Sequence, residues 1–105
     1  MKYGIYTRHT AQPGKRDELV AKLLEAGRLL EDNPDCLLWV INTTEDPEAV
    51  LAYAVWSSKE AHDAGLTPEG MSDEMRSLMG ATRQFMSEDV KPEQVFMTPV
   101  GGKGL

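Results

Sequence analysis

From residue 3 the chain alternates. In "YGIYTRHT" (3–10), Tyr3, Ile5, Thr7 and His9 fall on one face and Tyr6 and Arg8 on the other, the two-residue period of a short strand. Past Pro13 and Gly14 the period becomes helical, and Leu19, Leu23, Ala26 and Leu30 share one face. Asp17 and Glu18 sit in the first turn, where free backbone N–H groups favour negative charge. The spacing predicts a helix of roughly four turns, closed by "DNPD". Two strands follow, "CLLWVINTT" (36–44) and "AVLAYAVWSS" (49–58), and the short polar link between them predicts an antiparallel hairpin. Leu38 and Val40 alternate with Leu37, Trp39 and Ile41; Tyr53 and Val55 alternate with Val50, Ala54 and Trp56. Both alternating sets are apolar, so the pair reads as covered on both faces.

At "SSKE", Ser57 and Glu60 have the spacing of a capping box and predict a short helix through His62. "LTPEG" interrupts it, with Thr67 as N-cap and Pro68 as first residue of the next helix. Met71, Met75, Leu78, Thr82 and Phe85 then recur at helical spacing until "EDVKPE". "QVFMTPV" makes a last strand, placed at a sheet edge because Pro99 lacks a donor. The glycine-rich tail "GGKGL" (101–105) follows, and Leu105 gives it an apolar end able to dock on a partner.

The order strand, helix, strand, strand, helix, strand predicts one α+β domain over residues 1–100, a split βαβ arrangement with an antiparallel sheet. Two main helices cover one face of four strands. The other face still presents Tyr, Trp and aliphatic groups, at a cost of about 25 cal/mol per Å² of apolar area left in water. A second copy packed sheet against sheet is the simplest cover, so a homodimer is expected.

Composition narrows the partners. With 41% hydrophobic and 27% charged residues the chain has enough apolar material to fold. The net charge of −6, without any basic run, opposes a nucleic-acid partner. One cysteine, Cys36, excludes an internal disulfide and fits a reducing compartment. Neither a membrane-length apolar segment nor a signal-peptide pattern is present, so no membrane role and a cytoplasmic location are expected.

Several chemistries lack their marks. There is no Walker loop or GxGxxG; the tail has glycines and a lysine but no strand-to-helix context. His9 and His62 are the only histidines, too few for a three-histidine zinc site. Ser57 and Ser58 are explained by the helix cap and lie in no nucleophile elbow. The acidic residues fall on helices and turns, where solvation explains them better than a glycosidase dyad does. What remains is an aromatic set, Tyr3, Tyr6, Trp39, Tyr53 and Trp56, with Asn42, Arg8, His9 and His62 as polar tips. Trp56 either lines a ligand cavity or packs the core; Trp39 serves a cavity or the dimer seam. His62, six residues past Trp56, is of a residue type that serves as a general base, or is a solvated helix histidine. Asn42 either donates to a phenolate or closes the hairpin. Arg8 and His9 point to opposite faces, so at most one joins a given cavity. The methionines at 71, 75, 79 and 86 read as a helix core stripe that also adapts to a cavity wall.

The helix start "PGKRDELVAKLLE", the hairpin and helix "CLLWVINTTEDPEAVLAYAVWSSKEAHDA" and the closing "FMTPVGGKGL" resemble the antibiotic biosynthesis monooxygenase family over nearly the whole chain. That resemblance implies a ferredoxin-like βαββαβ fold paired into a dimeric α/β-barrel. It also implies oxidation of a phenolic or quinol-type aromatic by molecular oxygen, with no flavin, haem or metal cofactor; other members act on haem or have no known reaction. By resemblance the family's strand-end tryptophan is Trp56, and the aromatic of its next helix corresponds to His62. Many members carry histidine where this chain has Gly65 and near Gly70, and an asparagine used by one polyketide-oxidising member falls at Ala52. The expected site is therefore His62 as base, with Trp56, Trp39, Tyr53 and Asn42 around the substrate. A small-molecule-binding or stress-related dimer without turnover is the alternative. A haem-degrading relative is a narrower one, with His62 or His9 as proximal ligand.

Overall fold

The computed structural model describes residues 1–104; the expected docking of Leu105 lies outside the described residues. The chain forms β1 (Tyr3–Thr10), α1 (Arg16–Leu29), β2 (Cys36–Thr43), β3 (Ala49–Trp56), α2 (Lys59–Ala64), α3 (Asp73–Arg83) and β4 (Glu93–Met97). The sheet order is β2-β3-β1-β4, and every neighbouring pair is antiparallel. This is the α+β, ferredoxin-like arrangement that the element order predicts. Among the described residues no helix is long and apolar enough to cross a membrane.

The alternation of β1 holds: Ile5 and Thr7 are buried, and His9 continues their face. In α1 the predicted stripe is the buried one, Leu19, Leu23 and Ala26. β4 is an edge strand as expected, but Pro99 lies beyond it, so the missing donor costs the ladder nothing. Two helix starts differ from expectation. The N-cap of α2 is Ser58, whose hydroxyl accepts from the Ala61 amide at 3.0 Å. Ser57 instead donates to Asp35 at 2.7 Å, tying the end of β3 to the turn after α1. Glu60 is thereby one residue too early for a capping box. α3 begins at Asp73, capped by Ser72, rather than at Pro68. Thr67 closes a separate turn, accepting from the Gly70 amide and donating to the Ala64 carbonyl, both at 3.0 Å. Local side-chain bonding wins there over helix propensity.

The core lies between the helices and one sheet face, divided into two clusters. Ala11, Leu19, Leu23 and Val50 form one, with Ile41, Phe85 and Met86 against it. Ile5, Ala54 and Trp56 form the other, with Tyr3, Leu30 and Trp39. The opposite sheet face is only partly covered. Val55 is buried, but Tyr6, Leu38, Leu51 and Tyr53 are half-buried, and Val40 and Val95 are 38% and 52% exposed. Residues 37 to 56 are therefore apolar on both sides while the monomer's helices cover one.

Candidate functional site

A cavity of about 510 Å³ opens between the helix-facing side of the sheet, α1 and the segment from α2 to α3. That volume suits an organic ligand of drug size. Its floor is the inward-facing set of three strands: Ile5, Thr7 and His9 from β1, Trp39 from β2, and Ala52, Ala54 and Trp56 from β3. Small residues at 52 and 54 keep the floor low, with Ala54 beside both indoles. Leu23 and Ala26 of α1, with Leu30 just past its end, form one side, and Met71, Met75, Leu78 and Met86 the other. Leu66 and Met79, 56% and 36% exposed, stand among the outermost wall residues.

Trp39 is fixed by two contacts that the strand pattern alone does not reveal. Its Nε1–H donates to the Leu23 carbonyl of α1 at 3.2 Å. Gly27, one helical turn on, gives it room: a Cβ there would stand 2.6 Å from Cδ1 and 2.9 Å from Nε1 of the indole. Trp39 is thus a rigid wall whose polar tip is already spent. Trp56 is buried, and the His62 ring meets it edge-on with centroids 5.5 Å apart. The same imidazole lies 5.4 Å from the ring of Tyr3, which stacks on Phe96 at 5.9 Å.

His62 is held by its sequence neighbour. Its Nδ1 donates to Asp63 Oδ1 at 2.9 Å, and Lys59 holds the other carboxylate oxygen at 2.6 Å. Lys59 first, then His62, keeps the Asp63 carboxyl below its ordinary range, because both stabilise the ionised form. With Nδ1–H engaged, the lone pair of the neutral ring sits on Nε2. His62 also lines the cavity. A base oriented by a carboxylate, beside an aromatic wall, can remove a proton from a bound hydroxyl.

Of the five residues expected at the site, Trp39, Trp56 and His62 come together here. Asn42 and Tyr53 do not: both belong to the outer face of the sheet. Asn42 is exposed and its Nδ2 donates to the Leu51 carbonyl at 3.0 Å, bracing the β2–β3 hairpin. Tyr53 pairs with Tyr6 and Val40 on that same outer side. Arg8 also points outward, 3.1 Å from Asp46. His9, by contrast, lies in the wall; its Nδ1 is buried without a partner, and burial pushes its pKa down from 6.5. Gln94 and Arg83 complete the wall at positions that strand and helix period mark only weakly. Gln94 reaches Thr7 Oγ1 at 3.4 Å.

The sequence profile of the family described as antibiotic biosynthesis monooxygenase matches residues 3–71. A protein assigned to antibiotic biosynthesis monooxygenases from Chloroflexus aurantiacus is 30% identical, with 99% of this chain and 98% of that one covered and a TM-score of 0.81. The chain belongs to the antibiotic biosynthesis monooxygenase family. The fold is shared more widely. A monooxygenase of Streptomyces coelicolor, solved with nanaomycin D, is 22% identical over 95% of this chain and 88% of that one, with a TM-score of 0.75. SnoaB of Streptomyces nogalater, described as a cofactor-independent oxygenase, is 14% identical over 97% and 96%, with a TM-score of 0.76. No functionally curated protein matches the sequence. Within the family pattern, the glycine at position 70 has a local cause: a Cβ there would strike the Ala64 carbonyl in the turn that Thr67 closes.

Proposed function

We propose that this antibiotic biosynthesis monooxygenase family member oxidises an electron-rich aromatic, a phenol, quinol or anthrone, with molecular oxygen and no cofactor. The observation that carries the reading is the pairing of a Trp-walled apolar cavity with a histidine whose free Nε2 is set by Asp63. A flat substrate lies between Trp39 and Trp56, and Nε2 of His62 takes a proton from its hydroxyl. The anion passes one electron to O₂, and the resulting pair of radicals combines at a ring carbon as a peroxide. The peroxide then loses water, its outer oxygen leaving as hydroxide with the proton from His62 while the carbon's own hydrogen passes to the base. For an anthrone the balance is one O₂ consumed, one CH₂ converted to a carbonyl and one water released. The chain's part is to hold the anion, supply and recover the proton, and exclude bulk water.

We extend the proposal to a homodimer with sheet packed on sheet. Tyr6, Leu38, Val40, Leu51, Tyr53 and Val95 form a partly exposed apolar face, and a second copy buries it symmetrically. Tyr53 then acts in assembly rather than in substrate contact.

Metal-stripped protein incubated with dithranol and with 1,4-dihydroxynaphthalene, in air and under argon, tests the catalytic reading. Oxygen uptake matched to quinone formation above the buffer rate supports it. Binding without acceleration of either substrate replaces it with the non-catalytic alternative, and a Soret shift on haem titration with no quinol turnover favours the haem reading.

A further inference from the structure

We infer that the cavity selects an acidic ligand, one carrying a carboxylate that Arg83 and His9 receive at the end away from His62. The chain holds 17 acidic residues against 11 basic ones, yet no aspartate or glutamate lines the cavity. Its one permanently charged wall residue is Arg83, and the two histidines are the other wall groups able to carry positive charge. Among the described residues Arg83 forms no ion pair, so no protein carboxylate neutralises this wall cation. A cation in the last turn of α3 suits the helix dipole, but the dipole does not require a place on the cavity wall.

The fold brings Arg83 and His9 to one end. Just beyond α3, Ser87 donates to the Thr10 carbonyl at 2.8 Å, Gln12 donates to the Phe85 carbonyl at 2.9 Å, and Ala11 bridges Met86. The last turn of α3 is therefore fastened beside the last residues of β1. His9 has no side-chain hydrogen bond in the described chain, and its Nδ1 is buried unpaired. With its proton on Nε2, the neutral ring can donate it there. A carboxylate there accepts from Nε2–H of His9 and from the Arg83 guanidinium, the charge-assisted geometry arginine favours. His62 lies against Tyr3, six residues back along β1, which at about 3.3 Å per residue separates the two ends by roughly 20 Å of strand. A ligand engaging both is an elongated fused-ring acid, with its reacting hydroxyl at His62.

This inference rests on the aromatic-cavity reading, and its test is separable from turnover. Calorimetry near neutral pH compares anthraquinone-2-carboxylate with anthraquinone-2-carboxamide, nearly the same shape without the charge. Wild-type protein is expected to bind the carboxylate about ten-fold or more tightly, the scale of one charge-assisted hydrogen bond. Arg83→Gln should bring the ratio close to one and leave amide binding within about two-fold, and His9→Phe should reduce the ratio. Equal binding of both probes by wild type, or a ratio unchanged in Arg83→Gln, overturns the acidic-ligand inference and leaves the oxygenase reading intact. Failure of both probes to bind removes the aromatic cavity and this inference with it. Arg83 is exposed, so that variant decides the matter even where His9→Phe does not fold.

Discussion

Two glycine-to-alanine substitutions, both in helices, are expected to move stability in opposite directions. Alanine is the better helix former, by about 0.5–1 kcal/mol over glycine in a helix interior. At Gly80 in α3 nothing lies within 4 Å of an added Cβ, so Gly80→Ala should show the propensity gain alone. At Gly27 the same Cβ meets the Trp39 indole at 2.6 Å, and the ring cannot swing aside without breaking its bond to the Leu23 carbonyl. Overpacking costs about 1–3 kcal/mol and the lost hydrogen bond about 1 kcal/mol more, against which the propensity gain is the smaller quantity. Gly27→Ala should therefore lose about 1–3 kcal/mol net, or roughly 4–12 °C in Tm for a domain of this size. Urea melts followed by circular dichroism measure both variants, and tryptophan emission reports whether the Trp39 environment changes. If Gly27→Ala gains stability as Gly80→Ala does, Trp39 is not clamped against α1 and the rigid wall assigned to it is wrong.

His62→Ala should lower aerobic turnover by about 10²–10⁴, the range for a general base, while a Tm within a few degrees of wild type shows that chemistry rather than folding was lost. Asp63→Asn should give a smaller loss, since it removes the group that sets the His62 tautomer; activity unchanged in folded His62→Ala eliminates the base. His9 has its folded pKa below 6.5, so above that value both states are neutral and it leaves stability unaffected. As pH falls below 6.5 the unfolded chain takes up a proton that the native ring resists, and stability drops by at most about 1.4 kcal/mol per pH unit until the folded pKa is reached. Urea melts between about pH 7.5 and 5.5 should show a shallower decline in His9→Gln than in wild type; parallel curves would refute the assignment. Tyr53→Asp should shift sedimentation from twice the 11.6 kDa chain mass toward the monomer, because a charge in a buried apolar seam costs several kcal/mol; wild type sedimenting as a monomer would remove the sheet-to-sheet dimer.

Hydrophobic period was sufficient for the element order and for most of the inner face. Leu19, Leu23 and Ala26 of α1, Ile5 of β1 and Trp56 of β3 are buried where period places them, because side-chain direction in a regular element follows residue number alone. The same rule separates Tyr53 from Trp56 and Asn42 from Trp39, so one cavity on one face could never have held all four. The sequence could not say which face the helices cover, since both alternating sets of β2 and β3 are apolar and only packing of α1 and α3 breaks that symmetry. Local competition hid the helix starts: Ser57 and Ser58 are chemically equal candidates, and Ser57 is drawn to Asp35, 22 residues away in sequence. Distance in sequence also hid the far end of the site. Gly27 beside Trp39, and the segment after α3 tied to the end of β1 through the Thr10–Ser87 link, are arrangements that no local pattern encodes. The first exists because α1 packs across β2 and the second because the chain after α3 hydrogen-bonds the end of β1, and burial there depends on what the rest of the chain places against each side chain.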